Sequence, residues 1–395
     1  MSSPVSETGR ALGPGDLEVA ARAALSGLPG MGPRTLAALL DGREAGEAWG
    51  LVTSGRIPPE VSARWARSGV TDRSADWARK ASRVDLAALL AAHDAAGIRL
   101  LVAGHPHWPV RLLSDPEPPL ILCVRGDLMA LGRPTCGVVG TRSCTPDGRR
   151  VAHLLGRELA EAGVTVVSGL ALGVDAAAHR GCLAAIDADP SCGPPVGVVA
   201  GGLDNVYPPS HVDLYAAVAG SGALLSEVPL GIRPERWRFP ARNRVIAALS
   251  DVVVVVETAE RGGSLHTVEA ALDRDRIVGA VPGPVLSVTS KGTNGLLADG
   301  ALVVREAADV LMALGLVSGR RGSRGDGGRP AAAVAAELGE AAVAVYGAVG
   351  SSGTPLEHVV AESGLGLGDA LHALQQLAAA GLIEDCVGLW SRVGV

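Results

Sequence analysis

The sequence predicts an α/β protein whose middle is a mostly parallel sheet, preceded by a helical domain and followed by a smaller module of helices and two strands. Three observations predict it. From Cys136 onward, short β-branched runs alternate with amphipathic helical stretches, the pattern of right-handed βαβ units. The run Val252–Val256 is apolar on both faces, as a central strand covered by helices on each side must be. Residues 17–97 repeat Ala, Leu and Arg at helical spacing, as in Leu36-Ala-Ala-Leu-Leu40 and Leu86-Ala-Ala-Leu-Leu90.

In order, the helical domain spans 17–97. A Pro- and Trp-rich stretch, Gly104–Pro119, reads as irregular structure wrapped on a core. Strands are expected at Cys136–Val139, Val164–Val167, Val196–Ala200, Ala223–Ser226, Val252–Val256, Ile277–Val281 and Ala301–Val304. Helices are expected at about 147–162, 173–186, 211–219, 241–249, 264–273 and 305–314, which closes the sheet domain at 98–315. Ser318–Pro330 is Gly- and Arg-rich and marks a flexible linker over 316–333. Residues 334–395 then give helices followed by strands at Leu382–Val387 and Leu389–Val393 around Gly388. That order is expected of a winged helix.

Composition excludes several classes. The chain has 395 residues, 48% hydrophobic and 19% charged, a globular balance rather than a disordered one. Mean hydropathy is +0.29, but charges interrupt every apolar stretch, so no run approaches the ~20 residues of a membrane span. Met1–Gly15 has neither a cationic start nor an apolar core, so no secretory signal is expected. The six cysteines form no C-x-x-C pair and read as reduced thiols of a cytoplasmic protein. The histidines show no H-x-x-x-H spacing, so no metal is expected.

The loops after the strands carry the chemistry, because open parallel sheets bind ligands beyond the carboxyl ends of their strands. They read Gly140-Thr141-Arg142-Ser143, Ser168-Gly169-Leu170-Ala171-Leu172-Gly173-Val174-Asp175, Gly201-Gly202-Leu203-Asp204 and Gly262-Gly263-Ser264-Leu265. Such residues either permit tight strand–helix turns or present backbone amides to an anion. Several at one sheet edge favour the anion site. Neither G-x-G-x-x-G after the first of these strands nor a G-x-x-x-x-G-K-[ST] loop occurs, which argues against a dinucleotide cofactor or an ATPase.

Net charge is −6, yet Ile232–Arg244 holds five arginines against one glutamate, interleaved with Trp237 and Phe239. Guanidinium groups neutralise phosphates and aromatic faces stack on unpaired bases, a pairing suited to single-stranded nucleic acid. A solvated basic turn with two anchoring aromatics is the alternative. Asp175 and Asp204 sit where acids, or equally turn and cap carboxylates, are expected.

Leu101–Val304 resembles the DNA-processing protein A (DprA/Smf) family. The resemblance rests on His107-Trp108-Pro109, Val138-Val139-Gly140-Thr141-Arg142-Ser143, Ser168–Asp175 with His179, and Gly201–Asp204 with Tyr207-Pro208. It continues through Leu225-Ser226-Glu227, Phe239-Pro240-Ala241-Arg242-Asn243-Arg244, Pro282-Gly283 and Gly292-Thr293-Asn294. It implies an extended Rossmann-like domain that binds single-stranded DNA without catalysis or cofactor. A homodimer that protects incoming strands and helps load RecA recombinase in natural transformation is also implied. Carried onto this chain, the DNA-binding residues would be Gly140, Thr141, Arg142, Ser143, Ser168, Gly169, Trp237, Phe239, Arg242, Asn243, Arg244, Gly263 and Ser264. The chain departs from the family at Gly262–His266, where His266 is unusual.

That loop also motivates an alternative. Gly262-Gly263 followed by Glu269 partly resembles the glycine-glutamate motif of nucleoside-monophosphate phosphoribohydrolases, where the glutamate assists cleavage of an N-glycosidic bond. Leu28-Pro29-Gly30-Met31-Gly32-Pro33 resembles a helix-hairpin-helix (SAM-like) turn, which either holds a DNA phosphate or simply joins two helices. From Leu338 to Val395 there are six carboxylates and one cation, Arg392. These charges favour a protein partner over duplex DNA for the last module.

Overall fold

The computed structural model describes residues 12–67, 71–316, 335, 338–350, 354–380, 382–386 and 389–392. The linker Ser318–Pro330, the Gly388 turn, Val387 and Val393 lie outside the described residues. The chain forms two compact units, Met1–Ala313 and Leu314–Val395.

The first unit opens with six helices, α1 (Pro14–Ser26), α2 (Pro33–Leu40), α3 (Ala45–Thr53), α4 (Pro59–Arg67), α5 (Ser74–Ala81) and α6 (Leu86–Ala95). Prolines begin α1, α2 and α4, where a missing N–H costs nothing. The apolar faces meet around Leu25, Leu39, Val52, Trp65 and Trp77. The two indoles meet edge to face at 4.8 Å.

Seven parallel strands follow: β3 (Thr135–Val139), β4 (Thr165–Ser168), β5 (Pro195–Val199), β6 (Ala223–Ser226), β7 (Val252–Val255), β8 (Ile277–Ala280) and β9 (Leu302–Val303). All seven lie within two residues of their expected positions. Two preceding strands were not expected. β1 (Arg99–Leu101) pairs antiparallel with β2 (Leu122–Gly126), which pairs antiparallel with β6. The nine-stranded order is β1-β2-β6-β5-β4-β3-β7-β8-β9. Helices α7 (Pro146–Glu161), α8 (Val174–Ala188), α9 (Val212–Ser221), α10 (Arg238–Leu249), α11 (Leu265–Leu272), α12 (Lys291–Ala298) and α13 (Ala307–Ala313) connect and flank the strands. α12 was also unexpected, since two glycines, Thr and Asn give it low intrinsic helicity. Tertiary contact holds it: the Gly292 N–H donates to the Thr258 carbonyl at 2.9 Å. The four valines of β7 are fully buried. The sheet is thus mixed but dominated by parallel pairing, with a Rossmann-like crossover on either side of β3.

The second unit contains α14 (Glu340–Ala348), α15 (Leu356–Ser363) and α16 (Leu367–Ala379). Beside them is an antiparallel sheet ordered β10 (Thr354–Pro355), β12 (Leu389–Arg392), β11 (Ile383–Cys386). Val345, Val359, Leu374 and Leu377 form its core. Among the described residues, no helix is long and apolar enough to cross a membrane.

Two buried polar groups set stability. Arg274 grips Asp115 with both arms, Nε–Oδ2 at 2.6 Å and Nη2–Oδ1 at 2.9 Å, with side chains only 5% and 1% exposed. This pair fastens the Pro-rich stretch to the end of α11. Asp115→Asn is expected to cost about 3–5 kcal/mol in denaturant melts by stranding the guanidinium. On α8, His179 is fully buried and neither ring nitrogen has a well-formed hydrogen bond. Burial, with Arg242 and His211 nearby, pushes its pKa down to about 3. The unfolded chain therefore binds a proton that the folded chain refuses, and stability falls as pH drops from about 6.5 towards 3, by at most ~1.4 kcal/mol per pH unit. His179→Phe should flatten that slope in melts taken across the window.

Candidate functional site

Chain order runs β3-β4-β5-β6 to one side of the sheet and then returns to lay β7-β8-β9 on the other side of β3. Where the direction reverses, the loops at the strand ends separate and leave a crevice. An open cleft of about 330 Å³ occupies it. Gly140, Thr141 and Arg142 enter it after β3, Ala171 and Asp175 after β4, and Thr258, Gly263 and Ser264 after β7. Phe239, Arg242 and Asn243 of α10 form another wall.

The loop after β3 is held from behind. The Thr141 N–H donates to the Glu257 carbonyl at 2.8 Å. The buried Glu257 carboxylate accepts the Thr145 N–H at 2.8 Å and its hydroxyl at 2.6 Å. Thr145 in turn caps α7, accepting from the Gly148 N–H at 3.0 Å. Gly173, at φ +80°, lets α8 begin against this loop. A Cβ there would lie 2.4 Å from the Thr141 carbonyl oxygen. Sequence reasoning did not select Glu257; its signal lay in the Thr145-Pro146 helix start that its carboxylate completes.

At the mouth, Arg142 is exposed and, among the described residues, makes no ion pair. Its guanidinium lies 4.7 Å from the centroid of the Phe239 ring, a cation–π arrangement. Tyr207, which sequence reasoning did not select as a site residue, packs against the same ring at 5.5 Å. Together these two and Phe239 border a second, smaller recess that also includes Gly169, Leu172 and Pro208. Asn243 spans from α10 to the late glycine loop, its amide donating to the Gly263 carbonyl at 3.4 Å.

Several expected site residues do other work. Arg242 borders the cleft but is buried, donating to the Gly169 carbonyl at 2.8 Å and to the Val198 carbonyl. Burial draws its pKa below the ordinary range, opposed by Asp175, while burial pushes the Asp175 carboxyl up against the pull of Arg242. Asp175 also accepts the Gly169 N–H at 3.1 Å. Ser168 is buried and ties β4 to β3 through the Val138 carbonyl at 2.6 Å. The Ser264 hydroxyl is committed to Thr258 at 2.7 Å. Ser143 is exposed but does not line the cleft.

The basic segment 232–244 divides as its sequence did not disclose. Arg244 does not reach the cleft: it is buried in an ion pair with Glu227 and bonds the Glu117 carbonyl. Arg238 is buried with its guanidinium 4.4 Å from the Trp237 ring. Trp237 itself lies outside the cleft, bonded to Glu235 and close to Gly32 of the N-terminal turn. Only Arg233 and Arg236 of the five are exposed. The turn at Leu28–Pro33 is occupied by protein as well. Trp77 donates to the Pro29 carbonyl at 2.9 Å, and Arg73 lies against Gly30. Asp204 is a turn carboxylate, accepting the Gly231 N–H at 2.9 Å. Glu269, the glutamate of the phosphoribohydrolase alternative, is exposed on α11, paired with His266 at 3.2 Å and absent from the cleft lining.

Comparison with known proteins completes the site's description. The model of the family described as DNA recombination-mediator protein A matches residues 99–315. A DNA processing protein DprA of Mycobacterium tuberculosis (strain ATCC 25618 / H37Rv) is 37% identical over 358 residues, covering 87% of this chain and 86% of the relative. The DNA processing protein DprA of Bacillus subtilis is 36% identical over 223 residues, 56% of this chain and 73% of the relative. The X-ray structure of DprA from Streptococcus pneumoniae superposes with a TM-score of 0.58 at 29% identity, covering 75% of this chain and 97% of that one. The matched span carries both the parallel sheet and the cleft at its reversal, and the chain belongs to the DNA recombination-mediator protein A (DprA/Smf) family.

Proposed function

We propose that the cleft holds single-stranded DNA and that the protein is a non-catalytic recombination mediator, protecting incoming strands and helping to load RecA recombinase during natural transformation. The observation that carries the DNA assignment is the exposed Arg142 guanidinium on the Phe239 ring, at the reversal of strand order. A phosphate reaching Arg142 and the loop amides draws the cation off the ring, freeing an aromatic face for an unpaired base. Duplex DNA keeps its bases stacked and gains nothing from that face. With Glu269 turned to solvent and outside the cleft lining, the phosphoribohydrolase alternative lacks its motif glutamate at the place a nucleoside would occupy.

In this proposal, residues 17–97 act as a helix-hairpin-helix-type domain, 98–315 as the DNA-binding domain, 316–333 as a linker and 334–395 as a winged-helix-like domain, in a cytoplasmic protein. Homodimerisation is supported by apolar side chains left in solvent beside the sheet edge. Val285, Leu286 and Val288 follow β8 exposed, Leu286 at 92%, and Val303 lies exposed on the short edge strand β9.

Salt-titrated binding to oligo-dT and to duplex of equal length tests the DNA assignment. Wild type is expected to prefer dT, and equal affinities overturn the proposal. Arg142→Ala should weaken dT binding and lower the salt slope by about one phosphate contact. Phe239→Ala should cost about 1–3 kcal/mol. Arg244→Ala should instead destabilise the fold by about 3–5 kcal/mol and leave the salt slope of the folded fraction unchanged. Leu286→Glu should convert a dimer to a monomer by light scattering.

A further inference from the structure

A further recess, of about 40 Å³, lies between the helical part of the first unit and the sheet. Gly32, Pro33 and Leu36 border it at the start of α2, and Trp237, Arg238 and Ala241 border it at the start of α10. Arg238 stands apart from the other buried arginines of α10. Arg242 is met by two carbonyls and Asp175, and Arg244 by Glu227 and a carbonyl. Arg238 is only 5% exposed, yet its Nε is buried without a hydrogen-bond partner. Among the described residues it makes no ion pair. Glu235 and Glu227 attract it through space, but burial prevails and draws its pKa below the ordinary range. Both carboxylates are engaged elsewhere, Glu227 by Arg244 and Glu235 by the Trp237 indole. The Trp237 ring, 4.4 Å from the guanidinium, offsets part of the cost of burying the cation. A ring face does not replace the in-plane acceptors that a guanidinium edge requires.

The start of α2 brings positive potential to the same recess. Gly32 is its N-cap in extended geometry, and no side chain caps the helix's first amides, which leaves the positive end of the helix dipole unanswered. The hydroxyls nearby are engaged: Ser26 donates to the Ala23 carbonyl at 2.8 Å and Ser226 to the Gly201 carbonyl at 2.7 Å. Met31, Leu36, Ile121, Val199 and Val228 make the rest of the wall largely apolar. One water needs about 10–15 Å³ of such space, so the recess admits a molecule of only a few heavy atoms. A carboxylate meets the guanidinium fork with two coplanar oxygens and turns an alkyl group to the apolar walls. A phosphate would turn further oxygens onto those walls and lose their hydration.

We propose that this recess binds a short-chain monocarboxylate of about the size of acetate, held by Arg238 and the start of α2. The turn and α10 are already close, since a Cβ on Gly32 would lie 3.5 Å from the Trp237 ring. The bound anion fastens the Leu28–Pro33 turn to the start of α10. Arg238 does not line the cleft, so the assignment does not depend on what the cleft holds.

The test uses the full chain, melted at fixed pH in sodium acetate or sodium phosphate, with chloride keeping ionic strength constant. Wild type should gain a saturable ~2–4 °C over chloride alone once acetate stands several-fold above its Kd, and phosphate should give less. Saturation transfer from the protein to the acetate methyl protons reads binding directly. Arg238→Met should abolish both responses. Ala241→Leu, which fills the recess and keeps Arg238, should abolish them too. The oligo-dT salt slope should be unchanged in Arg238→Met. Absence of saturation transfer in wild type, or an acetate response that persists in either variant, overturns the proposal. So does a larger response to phosphate than to acetate. A lower oligo-dT salt slope in Arg238→Met would assign the guanidinium to a DNA phosphate and overturn it as well.

Discussion

The geometry of the cleft depends on one buried guanidinium. Arg242 reaches from α10 to the Gly169 carbonyl just beyond β4 and to the Val198 carbonyl in β5, with Asp175 of α8 as its counter-charge. Burying a cation costs several kcal/mol unless its donors and charge are met, and here two main-chain oxygens and a carboxylate meet them. Gly169 is required at the junction, since a Cβ there would lie 2.4 Å from the guanidinium nitrogen and 2.6 Å from the Asp175 carboxylate. Phe239 stands one turn earlier on the same helix, so the clasp that joins β4 and β5 also fixes where the ring meets Arg142. Arg244, from the same helix, ties to Glu227 just beyond β6. α10 thus fastens the ends of three adjacent strands with its polar side chains while its apolar ones fill the core.

Much of the sheet was legible because valine-rich runs buried on both faces leave a continuous apolar signature, as at Val252–Val256. β1 and β2 left none. β1 has three residues, and β2 follows a stretch crowded with Pro116, Pro118 and Pro119. In the site, the strand-end loops made Gly140, Thr141, Arg142 and Gly263 legible, since topology alone puts them at one edge. The arginines of 232–244 were less legible because charge in a sequence does not disclose burial. Arg244 takes Glu227, 17 residues away, and the Glu117 carbonyl, 127 residues away. Those partners meet it only after the sheet has formed. The same holds for Glu257, whose carboxylate finds Thr145 across 112 residues.

Charge distribution shapes how such a molecule meets a polyanion. With a net charge of −6, the long-range field does not attract nucleic acid, and beyond a Debye length of ~8 Å in physiological salt it is screened anyway. Any grip must be short-range, through Arg142 and loop amides within the cleft. From Leu338 to Val395 six carboxylates stand against one arginine, Arg392, whose guanidinium is engaged by the Tyr346 and Gly347 carbonyls.

Phe239 is the only phenylalanine in the chain. Biosynthetic replacement of phenylalanine by a fluorinated analogue therefore installs a single fluorine-bearing ring, in contact with both Arg142 and Tyr207. The protein comes with a built-in NMR reporter, one resonance free of assignment ambiguity, at the spot where a cation and an aromatic neighbour share the same ring.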